Sequence, residues 1–364
     1  MSPFVLQAAL VALASLALGA VVARLTRLRA ISFRFTLAWS LIAALGLLAA
    51  PLIPLVEPVA SLLELSPAAL LTVAVTLVLV TIALQLSVSV SQLIDQVGDL
   101  AEAQALSAHD RAGAAHRNEG RERALVVVPA WNERATVGHV VRAVAAQGFD
   151  VVVVDDGSTD DTAQVARAAG AVVLRLPTNL GVGGALRTAF RYALASGYER
   201  IVQCDADGQH PTTEIDRLLR EQLSEDADML IGSRFVVESA PGLRLSRGRL
   251  MAMSVLARSA SRAAGTRLTD ATSGFRVIRR PLLDELAQEL PNHYLGDTYE
   301  AVIAAARSGY RIAEVPVTMR DRRHGVSSAS TAAAVQFTVR VFAVVALRAH
   351  ISLRPRTDYE RQLA

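Results

Sequence analysis

The chain has no lysine. All 37 of its basic side chains are arginines, set against 34 acidic ones for a formal charge of +3 over 364 residues. Without a lysine amine there is no Walker-type P-loop, no protein-kinase site and no Schiff-base nucleophile. Any phosphate the chain handles must be met by arginine, backbone N–H groups or a metal ion. Cysteine is nearly as scarce. The single Cys204 excludes an intrachain disulfide and a cysteine-cluster metal site, and is compatible with a reducing compartment. Aromatics are 5% of residues, which gives little stacking surface, and the small net charge is spread along the chain. Nucleic acid is therefore not an expected partner.

Apolar residues are abundant, at 52% of the chain with a mean hydropathy of +0.35, and they are concentrated at the start. Residues 1–23, 35–56 and 65–94 carry no charge. Each run is long enough to cross a ~30 Å hydrocarbon core as a helix. The spans are expected at about 4–23, 37–56 and 67–90, with Pro51 and Pro54 kinking or ending the second. A cleaved signal peptide would begin with basic residues, which the first run lacks. The first connector holds Arg24, Arg27, Arg29 and Arg34, the second only Glu57 and Glu64. Positive connectors stay in the cytoplasm, so the N-terminus is expected outside and everything after the third span inside, in a multi-pass protein of the inner or plasma membrane. From Ser91 to Arg123 the chain turns polar, with a heptad-like Leu93, Val97, Leu100 stretch fading into a charged tether, so 95–123 is expected as a helical-to-flexible linker.

From residue 124 the pattern changes. Short β-branched runs at 125–129, 150–155, 171–174, 200–204, 229–231 and 311–315 alternate with helix-forming stretches. That rhythm predicts an α/β domain over about 124–330 around a mostly parallel sheet, which binds ligands beyond the carboxyl ends of its strands. Four polar clusters fall at such ends. The first is Pro129-Ala-Trp-Asn-Glu133. In the second, Asp155-Asp-Gly-Ser-Thr-Asp160, Ser158 or Thr159 suits a helix N-cap, but two adjacent carboxylates need something positive or hydrogen-bonding opposite them. The third, Asn179-Leu-Gly-Val-Gly-Gly-Ala-Leu-Arg187, has Leu186 where a dinucleotide fingerprint needs Gly or Ala. It reads instead as a tight turn opening a helix whose N–H groups could meet a phosphate. The fourth, Gln203-Cys-Asp-Ala-Asp-Gly-Gln-His-Pro211, offers Asp205, Asp207 and the amide of Gln209 to a hard divalent cation such as Mg2+ or Mn2+. His210 reads as structural.

Together these clusters resemble the family 2 glycosyltransferases of the GT-A fold, a Rossmann-like α/β architecture with helices on both faces of the sheet. The resemblance is nearest to dolichyl-phosphate mannose synthases and bacterial polyprenyl-phosphate glycosyltransferases. Gly232-Ser-Arg234, Asp270-Ala-Thr-Ser-Gly-Phe-Arg276, Glu314-Val-Pro316 and Arg322-Arg-His-Gly325 extend it over the whole of 124–330. The three-helix membrane half more loosely resembles small bacterial membrane proteins found beside or fused to such transferases.

The resemblance implies that Pro129, Glu133, Asp155, Asp156 and Asp205 bind a nucleotide-sugar donor, UDP-, GDP- or dTDP-linked. It implies that Asp205, Asp207 and Gln209 hold the metal. Arg234, Arg247, Arg322 and Ser327 would meet the acceptor phosphate or the leaving diphosphate, and Asp205, Asp207, Arg234, Asp270 and Arg322 would make up the catalytic set. Mannose-synthase-type members usually end the last motif in Gly-x-Ser-Lys; here it reads Gly325-Val-Ser-Ser328.

A polyprenyl phosphate acceptor is already an anion and needs no general base. A glycan hydroxyl in cell-envelope polysaccharide would need one, for which Asp270 or Asp297 is available. A processive synthase of the cellulose or hyaluronan type is disfavoured, because Trp39 and Trp131 are the only tryptophans and neither follows Gln-x-x-Arg. A binding-only scaffold would not need both acidic pairs. The apolar stretch 332–347, with Arg340 inside it, is expected to lie at the membrane surface within a C-terminal segment 331–364. Membrane lipids are thus expected partners, and a homo-oligomer is compatible with the sequence.

Overall fold

The computed structural model describes residues 3–28, 31, 33–49, 66–111, 124–235, 247–290, 297–319 and 353–357. Two compact units divide the chain: residues 1–97 with 346–349, and residues 98–345 with 350–364.

The described part of the first unit is helical: α1 (Pro3–Arg27), α2 (Phe33–Ala49) and the beginning of α3 (Ser66–Arg111). Helices α1 and α3 contain stretches long and apolar enough to cross a membrane, Ala9–Arg27 and Leu79–His109, whereas the apolar part of α2, Phe35–Leu48, is shorter. Two helices rather than three therefore meet that criterion among the described residues. Helix α2 stops ahead of Pro51, and residues 50–65 lie outside the described ones.

Apolar side chains here point outward as well as inward. Leu13 is 65% exposed and Leu48 69%, while Val22, Ile31 and Trp39 form a small core with Leu18, Phe35, Val80 and Leu84. The polar groups of this core are satisfied locally: Trp39 Nε1 donates to Ser87 Oγ at 3.4 Å, and the Thr26 and Thr36 hydroxyls share a 3.0 Å hydrogen bond. An apolar exterior around self-paired polar groups suits a lipid surrounding.

The second unit is built on a seven-stranded sheet. Its strands are β1 (Ala124–Ala130), β2 (Asp150–Asp155), β3 (Val172–Arg175), β4 (Arg200–Gln203), β5 (Met229–Ser233), β6 (Arg276–Arg279) and β7 (Ile312–Pro316), in the order β3-β2-β1-β4-β6-β5-β7. All neighbours are parallel except β6, which runs antiparallel to both β4 and β5.

The valine runs follow from burial on both faces. Leu125 and Val127 of β1 enter one core while Val126 and Val128 enter the other, and β2 divides Val152 and Val154 from Val151 and Val153 in the same way. With both faces covered there is no polar alternation to interrupt the run. One core receives α6 (Gly181–Ala195) and α9 (Leu282–Glu289), the other α4 (Val137–Ala145) and α7 (Ile215–Ser224). Helices α5 (Thr162–Ala168), α8 (Arg247–Ala264) and α10 (Asp297–Arg307) complete the described elements. Six of the seven strands fall where the sequence predicts them. The seventh, β6, is unanticipated because it offers only Val277 and Ile278 between two arginines.

The last turns of α3 belong to this unit. Ala101 and Ala105 are buried in its core, and Glu102, fully buried, takes Arg187 Nε at 2.9 Å and Arg191 Nη1 at 2.9 Å from α6. The stretch expected as a helix leading into a tether is thus helical to Arg111 and pinned by a buried ion-pair cluster; residues 112–123 lie outside the described ones. At the other end of the chain, Leu353 enters the core and Arg356 Nη1 lies 3.1 Å from Asp228, so the residues after the apolar 332–347 stretch return to this domain.

Candidate active site

Because six strands run in one direction, the ends of β1, β2, β4 and β5 and the loop entering β6 meet at one edge of the sheet. The β1 and β2 loops are knitted together there. Asn132 N donates to Ser158 Oγ at 2.9 Å, Thr159 N donates to Asn132 Oδ1 at 2.9 Å, and Glu133 N donates to Thr162 Oγ1 at 2.8 Å. Glu133 itself accepts Thr136 Oγ1 at 2.7 Å. Pro129 is half-buried at the end of β1, and Trp131 beyond it is 56% exposed. Ser158 thus ties one loop to the other and does not cap α5, whose N-cap residue is Asp161, without a side-chain capping bond.

The adjacent carboxylates separate into two tasks. Asp155 accepts Ser158 N at 3.0 Å through Oδ1, while its buried Oδ2 has no hydrogen-bond partner and only a 3.4 Å ion-pair contact from Arg175. Asp156 accepts Leu180 N at 2.6 Å and Gly181 N at 2.8 Å. The Leu180 and Gly181 N–H groups at the start of α6 are therefore taken by a carboxylate and are not available to a phosphate. Burial pushes the Asp156 carboxyl up to about 6, partly offset by those two N–H donors and reinforced by Asp155. Gly157, which follows them, has φ 67°, and a Cβ there would stand 2.7 Å from the Thr178 carbonyl carbon, so only glycine lets the two loops approach.

The β4 loop is more open. The Asp205 side chain is 42% exposed; Asp207 is buried, with Oδ1 accepting Gln209 N at 3.0 Å. A Cβ on Gly274 would lie 2.9 and 3.0 Å from the two Asp205 oxygens and 3.2 Å from Gln203 Nε2, a buried donor with no partner. Only a glycine leaves that carboxylate its place. Among the described residues no three His, Cys, Asp or Glu side chains form a complete metal cage. Two hard oxygen donors with an open side are what a Mg2+- or Mn2+-type ion shared with substrate phosphates requires, so the residues present fit one. Cys204 is fully buried behind this loop, and burial pushes its thiol up, out of nucleophilic use.

Across the edge, Arg234 lies against Asp270. Its Nε donates to Oδ2 at 2.6 Å, its Nη2 to Oδ1 at 2.8 Å, and its backbone N to Oδ2 at 3.2 Å. The Asp270 side chain is 0% exposed, with both oxygens engaged. Glu314 of β7 fixes the loop beneath it, accepting Thr269 N and Asp270 N at 2.6 Å each and Thr269 Oγ1 at 2.9 Å. Arg276, fully buried, donates to the carbonyls of Ala271, Ser273 and Thr298 at 3.0, 2.7 and 2.7 Å. Burial lowers its pKa to about 10, with Asp270 and Asp205 opposing the fall, so it stays charged at neutral pH.

The sequence carried Glu314 only as part of a motif, and it set His210 aside. That ring accepts Asp205 N at 2.9 Å through Nδ1. The only sequence hint is Gly208, whose positive φ of 75° lets the turn fold back on itself. Arg322, Ser327 and Ser328 lie outside the described residues, as do the side chains of Arg247 and Asp297, so the last motif and the second candidate base are not placed.

A mostly parallel sheet with one opposed strand, its acidic loops gathered at the carboxyl edge, defines the class: an α/β transferase of the GT-A type. The description "Glycosyl transferase family 2" matches residues 125–287. Polyprenol monophosphomannose synthase of Mycolicibacterium smegmatis is 32% identical over 57% of this chain and 82% of its own length. Undecaprenyl-phosphate mannosyltransferase of Micrococcus luteus is 34% identical over 57% of this chain and 88% of its own. Among solved structures, glucosyl-3-phosphoglycerate synthase of Mycobacterium tuberculosis aligns with a TM-score of 0.46 at 23% identity, over 63% of this chain and 85% of that one. The chain belongs to glycosyl transferase family 2 and is a nucleotide-sugar-dependent glycosyltransferase.

Proposed function

We propose that this enzyme is membrane-bound and metal-dependent, and that it transfers a sugar with inversion from a nucleotide-sugar to a polyprenyl phosphate at the cytosolic face. The observation that carries the acceptor is the Arg234–Asp270 pair. A glycan hydroxyl would need a carboxylate base; of the two candidates, the Asp297 side chain lies outside the described ones and Asp270 is buried with both oxygens on Arg234. A phosphate nucleophile is already charged and needs none. The names of the two bacterial relatives, a polyprenol monophosphomannose synthase and an undecaprenyl-phosphate mannosyltransferase, support the same acceptor.

In this reading Asp155, with its unpartnered buried Oδ2, receives a donor group of the nucleoside, alongside Pro129 and Glu133. Asp156 holds the pocket wall rather than the ligand. Asp205, Asp207 and Gln209 hold a divalent ion, which when bound supplies charge neutralisation for the leaving diphosphate. Arg234 keeps its guanidinium at the same edge for a phosphate; Arg247, Arg322 and Ser327 complete the grip on acceptor or leaving group. Attack from the face opposite the leaving diphosphate inverts the anomeric centre. Residues 1–94 anchor the protein by membrane helices with the N-terminus outside, 124–330 catalyse with the end of α3 and Leu353 packed into that domain, and 332–347 lie against the membrane surface.

The test uses the full chain in lipid nanodiscs with Mn2+, a polyprenyl phosphate and radiolabelled UDP-, GDP- and dTDP-sugars in turn. Label is expected in an acid-labile, solvent-extractable lipid. Label on a saccharide acceptor instead, or in no product with any donor, overturns the reading.

A further inference from the structure

His210 has no task in the reaction as proposed, yet its surroundings are built around one neighbour. The turn through Gly208 carries the chain back so that the ring lies against Asp205. Nδ1 accepts Asp205 N at 2.9 Å, and Nε2 stands 3.5 Å from Asp205 Oδ2. A ring nitrogen that accepts a hydrogen bond carries no proton, so the imidazole is in its Nε2–H form. The ring is 5% exposed and stacks on Phe275 with centroids 5.0 Å apart and planes 22° apart. Phe275 is itself fixed: it is fully buried, its N donates to Ser273 Oγ at 3.3 Å, and its carbonyl accepts Gly232 N at 2.9 Å. Gly274, one residue earlier, bounds the other side of the carboxylate, where a Cβ would come within 3.0 Å of both oxygens. Two distant motifs therefore make one seat, with a ring from the first stacked on an aromatic of the second and the carboxylate between the ring and a bare glycine.

We propose that His210 is a positioning residue that orients the Asp205 carboxylate for the divalent ion and the donor diphosphate through its Nε2–H. The proposal rests on the metal reading of Asp205 and Asp207 given above. Groups that orient a metal ligand typically alter metal affinity by about 10–100-fold when removed. A ring that merely filled space would alter stability and leave affinity alone.

The two ring nitrogens can be separated by substitution. In His210→Asn an amide oxygen can replace Nδ1 as acceptor for Asp205 N, but nothing reaches Oδ2. In His210→Gln an amide N–H can reach the Nε2 position. The measurement is Mn2+ affinity of the full chain in detergent, read from the free-ion paramagnetic resonance signal, with and without UDP, GDP or dTDP, alongside each variant's Tm. His210→Asn is expected to weaken Mn2+ binding by about 10–100-fold, with a Tm lowered by loss of the stack on Phe275, and His210→Gln to recover most of the affinity at a similarly lowered Tm. Wild-type affinity in His210→Asn, or equal loss in both variants, overturns the role of His210 and leaves the metal reading standing. Absence of Mn2+ binding by the wild-type protein under every condition overturns the metal reading and this proposal with it.

Discussion

The acidic pair after β2 and the acidic pair after β4 have nearly the same composition and opposite surroundings. Asp155 and Asp156 are both buried, and Asp156 has both oxygens taken by backbone N–H groups of the next loop. Asp205 is 42% exposed and meets one imidazole and a glycine, and Asp207 accepts Gln209 N from its own turn. A carboxylate saturated by backbone donors serves the fold; one held from a single side, as Asp205 is, keeps lone pairs for a ligand. Substitution of Asp156 should register mainly as lost stability, and substitutions in the second pair as lost transfer with the fold intact.

The largest effect is expected at Asp207. Asp207→Ala loses the acceptor for Gln209 N, but in the proposed mechanism it also removes a ligand to the ion that neutralises the leaving diphosphate. Sugar transfer should fall by about 10³-fold, the scale of losing one preorganised electrostatic contact, while the Tm moves little. Full activity in this variant would remove the distinction between the two pairs.

Asp156 sharpens the other side of the comparison. Its carboxyl is raised from an ordinary 3.8 to about 6, so between those values the folded protein binds a proton that the unfolded chain releases. The associated stability is complete below about pH 4 and is lost as pH rises through 6, by up to ~3 kcal/mol. Asp156→Asn cannot titrate. Its stability, from denaturant unfolding at pH 4 and pH 6.5, should fall less over that interval than the wild type's, although Asn loses one N–H bond and starts lower. Parallel pH profiles would mean that Asp156 is less desolvated than its neighbours imply.

Gly274→Ala tests whether Asp205 depends on its seat. A methyl group would come within 3.0 Å of both carboxylate oxygens and 3.2 Å of Gln203 Nε2. One of them must shift, and because Asp205 is the half-exposed one, it is expected to move. Activity should drop by about 10–100-fold through weakened metal binding, with saturating Mn2+ restoring part of it. Insensitivity to Mn2+ would place the strain on Gln203 instead.

The parts of this molecule legible from sequence are those whose cause is local. Burial on both faces turns β1 and β2 into uninterrupted valine runs, and a run that stops at Pro129, Asp155 or Gln203 marks a strand end. The antiparallel β6 carries no such signal, because Arg276-Val-Ile-Arg279 becomes a strand only through backbone pairing with β4 and β5. At the site, each acidic cluster is visible as a short word, but the partnerships are not. Arg234 meets Asp270 across 36 residues and Glu314 meets Asp270 across 44, distances at which residue type gives no hint of contact. The capping role read for Ser158 failed for the same reason: a hydroxyl beside a helix start looks like a cap until a loop from 26 residues away offers it Asn132 N.

Ser158 also gives the smallest expected effect. Ser158→Ala removes the acceptor for Asn132 N, whereas the Ser158 backbone N still reaches Asp155 Oδ1 at 3.0 Å and Asn132 Oδ1 still receives Thr159 N at 2.9 Å. With the two loops joined by the remaining bonds, and Asn132 in an exposed position where water can replace the lost acceptor, the cost should be about 0.5–1.5 kcal/mol. Transfer activity should stay within a small factor of wild type. A loss of activity larger than the loss of stability would mean that the knitted β1 and β2 loops do more than hold the pocket wall, and that the closed pair and the open pair act as one site.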